Sequence, residues 1–371
     1  MKIVITGGDG FVGSHNAEFV LEKYEDSEVI LVDNLSRAHG ENYGYLKDKF
    51  GDRVTLLEED VRHLDTIKDA FVDADRVYHM AAQVTMTKSI DDPVYDYEVN
   101  STGTFNVLES MRLKCPDAPI VYCSTNKVYG DLLRVVRGND GAIRLEKLDG
   151  DTDIEVKDNR YTYRDPDITG VIEEGFHVGP EAANCPYGAS KMAGELWMKN
   201  FHDTYGMKTV RARMSCIYGT RQYGNEDQGW LSWFAIRAIL GKNIVIYGDG
   251  MQVRDVLFCI DHARAFDLLA TTPACYGEAF NLGGGPDNTL TLLDLIELID
   301  EFTGKRSPVK YDAWRHGDQK VYISNIDKIK AVTGFVPEVK PREGVRQLLE
   351  WTGDNIDKIV DVSKEQVTRD L

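Results

Sequence analysis

The sequence predicts an α/β protein: a doubly wound parallel sheet with a smaller mixed α/β lobe. Short runs of β-branched residues alternate with longer amphipathic stretches through the first half of the chain, which is typical of parallel strands wrapped by helices. A glycine-rich turn follows the first run directly, as in sheets of this class that bind nucleotides. The runs cover residues 2–5, 29–32, 54–57, 76–79 and 120–123.

The later elements follow from the same kind of pattern. Apolar residues at helical spacing predict a helix over 95–112, and a second long helix follows from residue 190. A buried strand is predicted at 209–213 and an apolar helix at 230–240. Residues 243–257 indicate a strand, a turn at Gly248-Asp249-Gly250 and a second strand. Gly and Pro residues then separate helices at 290–302, 326–332 and 342–351.

These patterns divide the chain into two parts. We expect a cofactor-binding domain over 1–190, to which the chain returns at about 208–218 and 253–283. The smaller, substrate-binding lobe takes about 191–207, 219–252 and 284–360. Residues 131–184 are highly charged, rich in Gly and Asp and without clear periodicity, which predicts a surface insertion. A lid over the substrate is the alternative, because both ends of the insertion adjoin the reactive groups described below.

Composition limits the classes of function. The 371 residues carry 43 Lys and Arg against 61 Asp and Glu, a net charge of −18, so neither nucleic acids nor acidic membranes are expected partners. The six cysteines show no CxxC spacing, and no metal site is predicted. We expect them to be reduced core residues of a cytoplasmic protein, since no signal-peptide or membrane-spanning pattern is present in the sequence.

The turn after the first strand carries Gly7, Gly10 and Gly13 and opens a helix. This spacing lets the backbone approach a pyrophosphate at a helix N-terminus. Asp33 ends the second strand 20 residues after Gly13, where a carboxylate can bond a ribose diol and repel a 2′-phosphate. The sequence therefore predicts NAD bound to a Rossmann-like sheet, while the nearby Arg37 keeps NADP open as the alternative.

Residues at the ends of the next two strands complete the predicted cofactor site. Asp60 and Val61 would face the adenine, and the small residues Ala81 and Ala82 would lie beside the pyrophosphate. The predicted cofactor-binding residues are Gly7, Gly10, Phe11, Val12, Gly13, Asp33, Asn34, Asp60, Val61, Ala81, Ala82, Gln83, Asn100, Tyr187 and Lys191.

Tyr187 and Lys191 form a candidate reactive pair. They are four residues apart on a predicted helix, so their side chains share one face. The ammonium, together with a nicotinamide cation, favours the phenolate, and Tyr187 can then take a proton from a sugar hydroxyl near neutral pH.

Together with the glycine turn, Asp33 and the hydroxyls of Ser124-Thr125, this pair resembles the extended short-chain dehydrogenase/reductase family over nearly the whole chain. Within it, the resemblance is to the nucleotide-sugar epimerases and dehydratases. The 4,6-dehydratases carry Thr-Asp-Glu before Val-Tyr-Gly, and these carboxylates serve to eliminate water. Here Asn126 and Lys127 stand in their place, which argues against dehydration.

Longer segments resemble one branch of that family, the CDP-tyvelose (CDP-paratose) 2-epimerases: 124–131, 160–162, 218–222, 226–230 and 250–255. The resemblance implies that Thr125 bonds the hydroxyl being oxidised and helps to orient Tyr187. The predicted catalytic residues are thus Thr125, Tyr187 and Lys191. The resemblance also implies that the inverted carbon is C2 of a CDP-linked 3,6-dideoxyhexose. The residues by themselves do not decide whether C2 or C4 is inverted.

A sugar nucleotide carries a diphosphate. In an acidic chain, the few cationic side chains near the site are the candidates to bind it. Arg254, Arg315 and Asp318 match the family's substrate positions, while Arg221 and Gln222 are added on the resemblance to the 2-epimerases. Many relatives have an asparagine where this chain has Cys216, which is a departure from the family at that contact. The predicted substrate-binding residues are Ser124, Asn126, Arg221, Gln222, Arg254, Arg315 and Asp318.

The predicted mechanism is removal of a hydride from the sugar carbon to NAD and its return to the opposite face, with the cofactor bound throughout. Two alternatives stay open: a C4 or C2 epimerase of another nucleotide hexose, such as a UDP- or GDP-sugar, and a noncatalytic NAD-binding regulator on the same fold. By resemblance, the helices around 95–112 and 190–205 form the four-helix interface of a homodimer, or of a dimer of dimers.

Overall fold

Strands and helices alternate along the first half of the chain, as the sequence predicts. The computed structural model describes residues 1–37, 39–130, 133–137, 143–147, 153–164, 171–172, 174–175, 178–180, 184–315 and 318–362. In these ranges the strands are β1 (Lys2–Thr6), β2 (Glu28–Asp33), β3 (Val54–Glu58), β4 (Arg76–His79), β5 (Ile120–Thr125), β6 (Leu133–Arg137), β7 (Ile143–Lys147), β8 (Ile154–Lys157), β9 (Arg160–Tyr163), β10 (Val171–Ile172), β11 (Thr209–Met214), β12 (Cys216–Tyr218), β13 (Ile244–Tyr247), β14 (Val253–Phe258), β15 (Ala279–Leu282), β16 (Thr289–Thr291), β17 (Val309–Asp312) and β18 (Val321–Ser324).

The helices cover the sheets and join their strands. They are α1 (Phe11–Lys23), α2 (Glu41–Phe50), α3 (Leu64–Ile67), α4 (Met86–Asp91), α5 (Pro93–Tyr97), α6 (Gly103–Lys114), α7 (Pro186–Tyr205), α8 (Trp230–Ile239), α9 (Cys259–Thr271), α10 (Leu292–Thr303), α11 (Asp327–Thr333), α12 (Pro341–Asp354) and α13 (Ile356–Val362). A π-helical turn at Glu98–Thr102 connects α5 to α6, so the helix predicted over 95–112 is three consecutive segments.

A seven-stranded sheet with the order β15-β11-β5-β4-β1-β2-β3 forms the larger part of the molecule. All its neighbouring strands run parallel. The strand order reverses between β1 and β4, and in such sheets ligands bind outside the carboxyl ends of the strands at this point. The predicted α/β class with a doubly wound parallel sheet is confirmed.

Both faces of this sheet are covered by helices, which explains why its central strands β1, β4 and β5 are almost fully buried. Alternate residues of β5 belong to two different cores: Val121 packs with α1 and α9, while Ile120 and Tyr122 pack with α6 and α7. Helix α7 approaches β5 closely, because a Cβ atom at Gly194 would lie 2.3 Å from the Tyr122 hydroxyl oxygen. This close contact fixes α7 over the strand that ends at Thr125.

A second sheet, with the order β10-β18-β14-β12, has β16 antiparallel to β14, and α8, α10 and α12 pack around its apolar core. The strand, turn and strand predicted at 243–257 are present, but β13 pairs with β17 while β14 joins this sheet. Gly248 and Gly250 both have positive φ, 95° and 84°, and the turn carries the chain from one sheet to another rather than closing a hairpin.

The predicted domain boundaries remain a prediction, although the sheets bear on them. Within the segments expected to return to the first domain, β11 and β15 are strands of the seven-stranded sheet, whereas β12 and β14 belong to the second sheet.

The insertion at 131–184 contains strands that its sequence did not indicate. In its described residues, β6 pairs with β7 and β8 with β9, both antiparallel. Ile154 and Tyr163 of the second hairpin are buried against Val128 and Tyr129, which directly follow β5. Strands of four or five residues are too short to show a clear period, which explains the missing signal. The second hairpin of the insertion therefore packs beside the segment that follows Thr125, while the action of the insertion as a lid remains a prediction.

Two further sequence features can be placed. All six cysteines are free thiols; five are buried and Cys216 is half-buried. No helix in the described part of the chain is long and apolar enough to cross a membrane.

Candidate active site

A cavity of about 500 Å³ lies at the carboxyl ends of β1 to β5. Its opposite wall is formed by β12, the segment before α8, and residues of β13 and β14. Most of the predicted site residues line it and are thereby brought together: Gly7, Gly10, Phe11, Val12, Asp33, Asn34, Asp60, Val61, Ala81, Ala82, Ser124, Thr125, Asn126, Tyr187, Lys191, Arg221, Gln222, Arg254, Arg315 and Asp318.

Three predicted cofactor residues stand behind the cavity wall instead. Gly13 packs α1 onto the glycine turn, since a Cβ there would lie 2.1 Å from the carbonyl oxygen of Gly7. The Asn100 amide donates to the Gln83 carbonyl at 3.1 Å and to the Ser190 hydroxyl at 3.0 Å. Gln83 in turn donates to Asp96 at 2.8 Å. These residues support the wall, and their direct contact with a cofactor remains a prediction.

The glycine turn has the shape that a dinucleotide requires. Gly7 has a φ of 68°, and a Cβ there would lie 2.6 Å from the backbone nitrogen of Ala81. Gly10 precedes the first residue of α1 and lines the cavity. The positive end of the α1 dipole and the side-chain-free backbone therefore face the space where a pyrophosphate would lie.

Asp33 stands at the end of β2 with its carboxylate held by two backbone N–H groups, those of Leu35 at 2.8 Å and Asp9 at 3.0 Å. Burial raises the pKa of Asp33 to about 6, so it is mostly ionised at neutral pH and able to accept from a ribose diol. Arg37 donates to Gln228 on the opposite wall at 3.1 Å. The glycine turn and Asp33 thus fit NAD, and Arg37 is engaged elsewhere.

Tyr187 and Lys191 lie on the first two turns of α7, which begins at Pro186 with Cys185 as its N-cap. A Cβ at Gly188 would lie 2.7 Å from the Lys127 carbonyl oxygen, so a glycine is needed where the helix meets the segment after β5. This contact brings Tyr187 near Thr125, close enough for the Thr125 hydroxyl to act on the pKa of the phenol. Tyr187, Thr125 and Lys191 all line the cavity.

The electrostatics of this group depend on burial. Burial raises the pKa of Tyr187 well above its ordinary value. The Thr125 hydroxyl acts in the opposite direction, but its effect is smaller. Burial also lowers the pKa of Lys191 to about 8, and its ammonium lies 4.3 Å from the centre of the Tyr122 ring. The chain alone therefore keeps Tyr187 protonated. The ionisation that we expect needs the positive charge of a bound cofactor in addition to Lys191.

Ser124 and Asn126, predicted to touch substrate, flank Thr125. The Ser124 hydroxyl donates to Glu195 at 2.6 Å, and the Asn126 side-chain oxygen accepts from the Thr125 hydroxyl at 3.3 Å. Both residues line the cavity, but in this structure their polar atoms are also bonded to Glu195 and Thr125 and fix the conformation of residues 124–126. Their contact with substrate remains a prediction.

A cationic cluster lies beyond the reactive group. Arg254 donates to Asp318 at 2.7 Å, and both act electrostatically on Lys127, whose pKa is lowered mainly by burial. Farther along the wall, Arg315 donates to the Glu226 carbonyl at 2.9 Å and lies 3.9 Å above the Tyr247 ring. Cations in a chain of this net charge are suited to hold a diphosphate.

Arg221 and Gln222 lie nearer to the cofactor side than the sequence suggested. Arg221 adopts a positive φ of 56°, and its guanidinium pairs with Glu18 on α1 at 2.6 Å. The Gln222 amide donates to the Ile217 carbonyl at 3.5 Å. Arg221 thus joins the second lobe to α1, and substrate binding by these two residues stays a prediction.

Sequence reasoning missed the aromatic residues of the cavity, and it discussed Lys127 and Cys216 without including them in the predicted site. Trp230 and Phe234 of α8 and Tyr247 at the end of β13 give it an apolar end, and Lys127 and Cys216 lie near Arg254. The position of Tyr247 at the end of a strand before a Gly-Asp-Gly turn was the available signal. Burial raises the pKa of the Cys216 thiol, so the group that replaces the family's asparagine is uncharged.

Comparison with known proteins agrees with this geometry. Residues 4–140 match the family model for GDP-mannose 4,6 dehydratase, and residues 161–283 match that of the NAD dependent epimerase/dehydratase family. The chain is 35% identical to the CDP-paratose 2-epimerase of Salmonella typhi, over 95% of this chain and 99% of that protein. It is 30% identical to a putative UDP-glucose 4-epimerase of Methanocaldococcus jannaschii, over 95% and 99%.

A solved structure is similar over the same length. The UDP-glucose 4-epimerase of Thermus thermophilus, determined as a complex with NAD, has a TM-score of 0.74 and 28% sequence identity. The match covers 95% of this chain and 98% of that one.

Proposed function

Because the chain belongs to the NAD-dependent nucleotide-sugar epimerases and dehydratases of the extended short-chain dehydrogenase/reductase family, we propose that it inverts C2 of a CDP-3,6-dideoxyhexose. It would thereby interconvert CDP-paratose and CDP-tyvelose. The proposal is supported by the similarity to a CDP-paratose 2-epimerase along almost the whole of both chains.

One observation at the site carries the choice of reaction. Thr125, Tyr187 and Lys191 meet in the cavity, and the next two residues along the chain are Asn126 and Lys127. An amide and an ammonium at these positions cannot act as the carboxylate pair that eliminates water. The site is therefore suited to oxidise and reduce one carbon, and positions 126 and 127 carry no carboxylates for expelling a hydroxyl, which favours epimerisation over dehydration.

The chain's own residues would handle the proton. Bound NAD supplies a group that accepts a hydride from the sugar carbon and gives it back. Thr125 holds the sugar hydroxyl at the phenol, and the phenolate oxygen of Tyr187 takes its proton. The ammonium of Lys191 favours the phenolate, and the apolar surroundings strengthen this interaction by excluding water. Tyr187 then returns the proton to the oxygen after inversion.

The remainder of the cavity would hold the nucleotide. Arg254 and Arg315 are the cations expected to bind the diphosphate, and Trp230, Phe234 and Tyr247 supply apolar surface for the base and ribose. Anchoring the substrate at this end would leave the sugar free to present either face of the ketone to the group that returns the hydride. That freedom is what an inversion through a ketone requires.

The function is tested by incubating the purified protein with CDP-, UDP- and GDP-sugars in deuterated water and following each sugar by NMR. We expect inversion at C2 of CDP-paratose or CDP-tyvelose, with no solvent deuterium at that carbon. Inversion only at C4 of a UDP- or GDP-sugar would support the alternative that the methanogen relative suggests. No turnover of any sugar would favour a noncatalytic NAD-binding protein.

We also propose that the protein is a homodimer, or a dimer of dimers, formed through α5, α6 and α7. Val94 and Leu196 on these helices are each 65% exposed, and Tyr97, Leu113 and Tyr205 are exposed as well. Apolar patches of this kind mark interaction surfaces. Leu196→Glu should convert the dimer to a monomer in sedimentation velocity, whereas Tyr311→Glu, an exposed position on β17, should not. A wild-type monomer at micromolar concentration would contradict the proposal.

A further inference from the structure

A buried ion pair lies directly behind the reactive group. Glu195 on α7 and Arg213 on β11 are 2% and 4% exposed. The Arg213 Nη2 atom lies 2.8 Å from Oε2 of Glu195, and its Nε donates to the two carboxylate oxygens at 3.0 and 3.2 Å. Neither residue lines the cavity, so neither can touch a substrate or cofactor there.

The pair is bonded to the catalytic segment from two sides. Oε1 of Glu195 accepts from the Ser124 hydroxyl at 2.6 Å, and Ser124 immediately precedes Thr125. The Nη1 group of Arg213 donates to the Tyr129 hydroxyl at 3.1 Å, and Tyr129 closes the short helical turn that follows Thr125. Both ends of the segment around Thr125 are therefore held by one ion pair.

The network also reaches the insertion. The Tyr129 hydroxyl donates to the Asn281 side chain at 2.7 Å, and the backbone N–H of Asn281 donates to Glu174 at 2.7 Å. Glu174 belongs to the insertion, so a residue of that segment is connected through buried groups to the strand that carries Thr125.

Glu195 stands one helical turn after Lys191 on the same face of α7. The ionisable and aromatic groups that act on Lys191 come from several elements: His79, Asp96, Tyr122, Cys123 and Glu195. Tyr187 stands one turn before Lys191 on α7.

Two of these groups are uncharged at neutral pH. Burial lowers the pKa of His79 to about 3 and raises that of Cys123 to about 11, so both are neutral. Burial raises the pKa of Asp96. Burial also acts to raise the pKa of Glu195, but Arg213 outweighs it and holds that pKa below its ordinary value. Glu195 is therefore a negative charge near Lys191, and with Asp96 it acts to raise the pKa of Lys191.

We propose that the Glu195–Arg213 pair is a positioning unit for the reaction: it holds Ser124 and Tyr129 on either side of Thr125, and it keeps a fixed negative charge behind Lys191. Replacing a buried ion pair by apolar residues often costs little stability. Stability alone therefore does not explain why an ion pair stands at this place. The inference rests on the proposed function only in requiring that the protein epimerises some nucleotide sugar.

The test variant is Glu195→Gln, which keeps an acceptor for Ser124 and removes the charge. Lys191 has a pKa of about 8 that Glu195 helps to raise, so this variant lowers it. Activity that needs the ammonium is lost as the pH rises through that pKa. The upper limb of the pH profile of kcat/KM should therefore move to lower pH than in the wild-type protein.

Asp267→Asn is the matched control. Asp267 is buried and paired with Arg76 at the other end of the sheet, away from the cavity lining. This variant should lower the melting temperature and leave the pH profile unchanged. Glu195→Gln could behave in the same way, with a lower melting temperature and an upper limb of the kcat/KM profile at the wild-type pH. That result would overturn the proposal.

Two further variants keep the test decisive should Glu195→Gln not fold. Arg213→Lys retains both charges of the pair but loses the planar guanidinium group that binds Glu195 and Tyr129 together. Its upper limb should therefore stay at the wild-type pH, while its kcat should be lower. Ser124→Ala should likewise lower kcat without moving the limb, and a wild-type kcat and KM in Ser124→Ala would refute the positioning role. All profiles are recorded with whichever nucleotide sugar the wild-type protein inverts, so an error in the assigned substrate does not affect the result.

Discussion

Tyr187→Phe is expected to lower kcat by about 10³-fold, because the phenol oxygen is the proton acceptor and donor of the reaction. The ring is retained, and Tyr187 stands at the beginning of a helix that packs onto β5 through Gly194 and onto the segment after β5 through Gly188. The fold and the bound NAD should therefore be unaffected. Steady-state kinetics give the loss, and the NAD released on denaturing the protein gives the occupancy.

Tyr218→Phe provides the comparison. Its hydroxyl is buried and bonded to the Pro341 carbonyl at 3.4 Å, outside the residues that line the cavity. We expect near wild-type turnover from it. A loss smaller than about tenfold in Tyr187→Phe would mean that another group moves the proton.

Gly13→Ala is expected to yield a protein that has lost its cofactor. The new methyl group would lie 2.1 Å from the Gly7 carbonyl oxygen and 2.8 Å from the Gly8 Cα. Both are backbone atoms, so no side-chain rotation relieves the overlap. The turn must move away from α1, and the cost is on the order of 1–3 kcal/mol of the unfolding free energy. NAD content and the melting temperature should both fall.

Gly44→Ala serves as its control. Gly44 is exposed within α2, and a Cβ there meets nothing within 4 Å. Alanine is favoured over glycine inside a helix by about 1 kcal/mol, so this variant should keep its NAD and melt at the wild-type temperature or above. A Gly13→Ala protein with a full complement of NAD would show that the turn is not the dinucleotide site.

The parts of the site that the sequence predicted depend on local geometry. A strand, a glycine turn and a helix place Gly7 and Gly10 at the carboxyl edge of the sheet, whatever the rest of the chain does. Asp33 follows because the next parallel strand ends at that same edge. The four-residue spacing of Tyr187 and Lys191 puts both on one helical face. Each of these inferences needs only a short stretch of chain.

Other features depend on which strands become neighbours. Glu195 meets Arg213 only because β11 lies next to β5 in the sheet. No local sequence pattern predicts that these two strands are neighbours. Arg221 turns toward Glu18 because of its positive φ, which a non-glycine residue seldom adopts. The two strands around Gly248-Asp249-Gly250 were predicted, but their partners lie in other parts of the chain: β13 pairs with β17, and β14 pairs with β12, β16 and β18.

The central claim is that one carbon is oxidised and reduced in the site while its own hydrogen is kept there. The most direct test uses CDP-paratose with deuterium at C2, incubated with the protein in ordinary water and analysed by NMR and mass spectrometry. The account predicts CDP-tyvelose that still carries the deuterium at C2. Product with hydrogen at that carbon would contradict it, since the label would then have exchanged with solvent through a proton-transfer route.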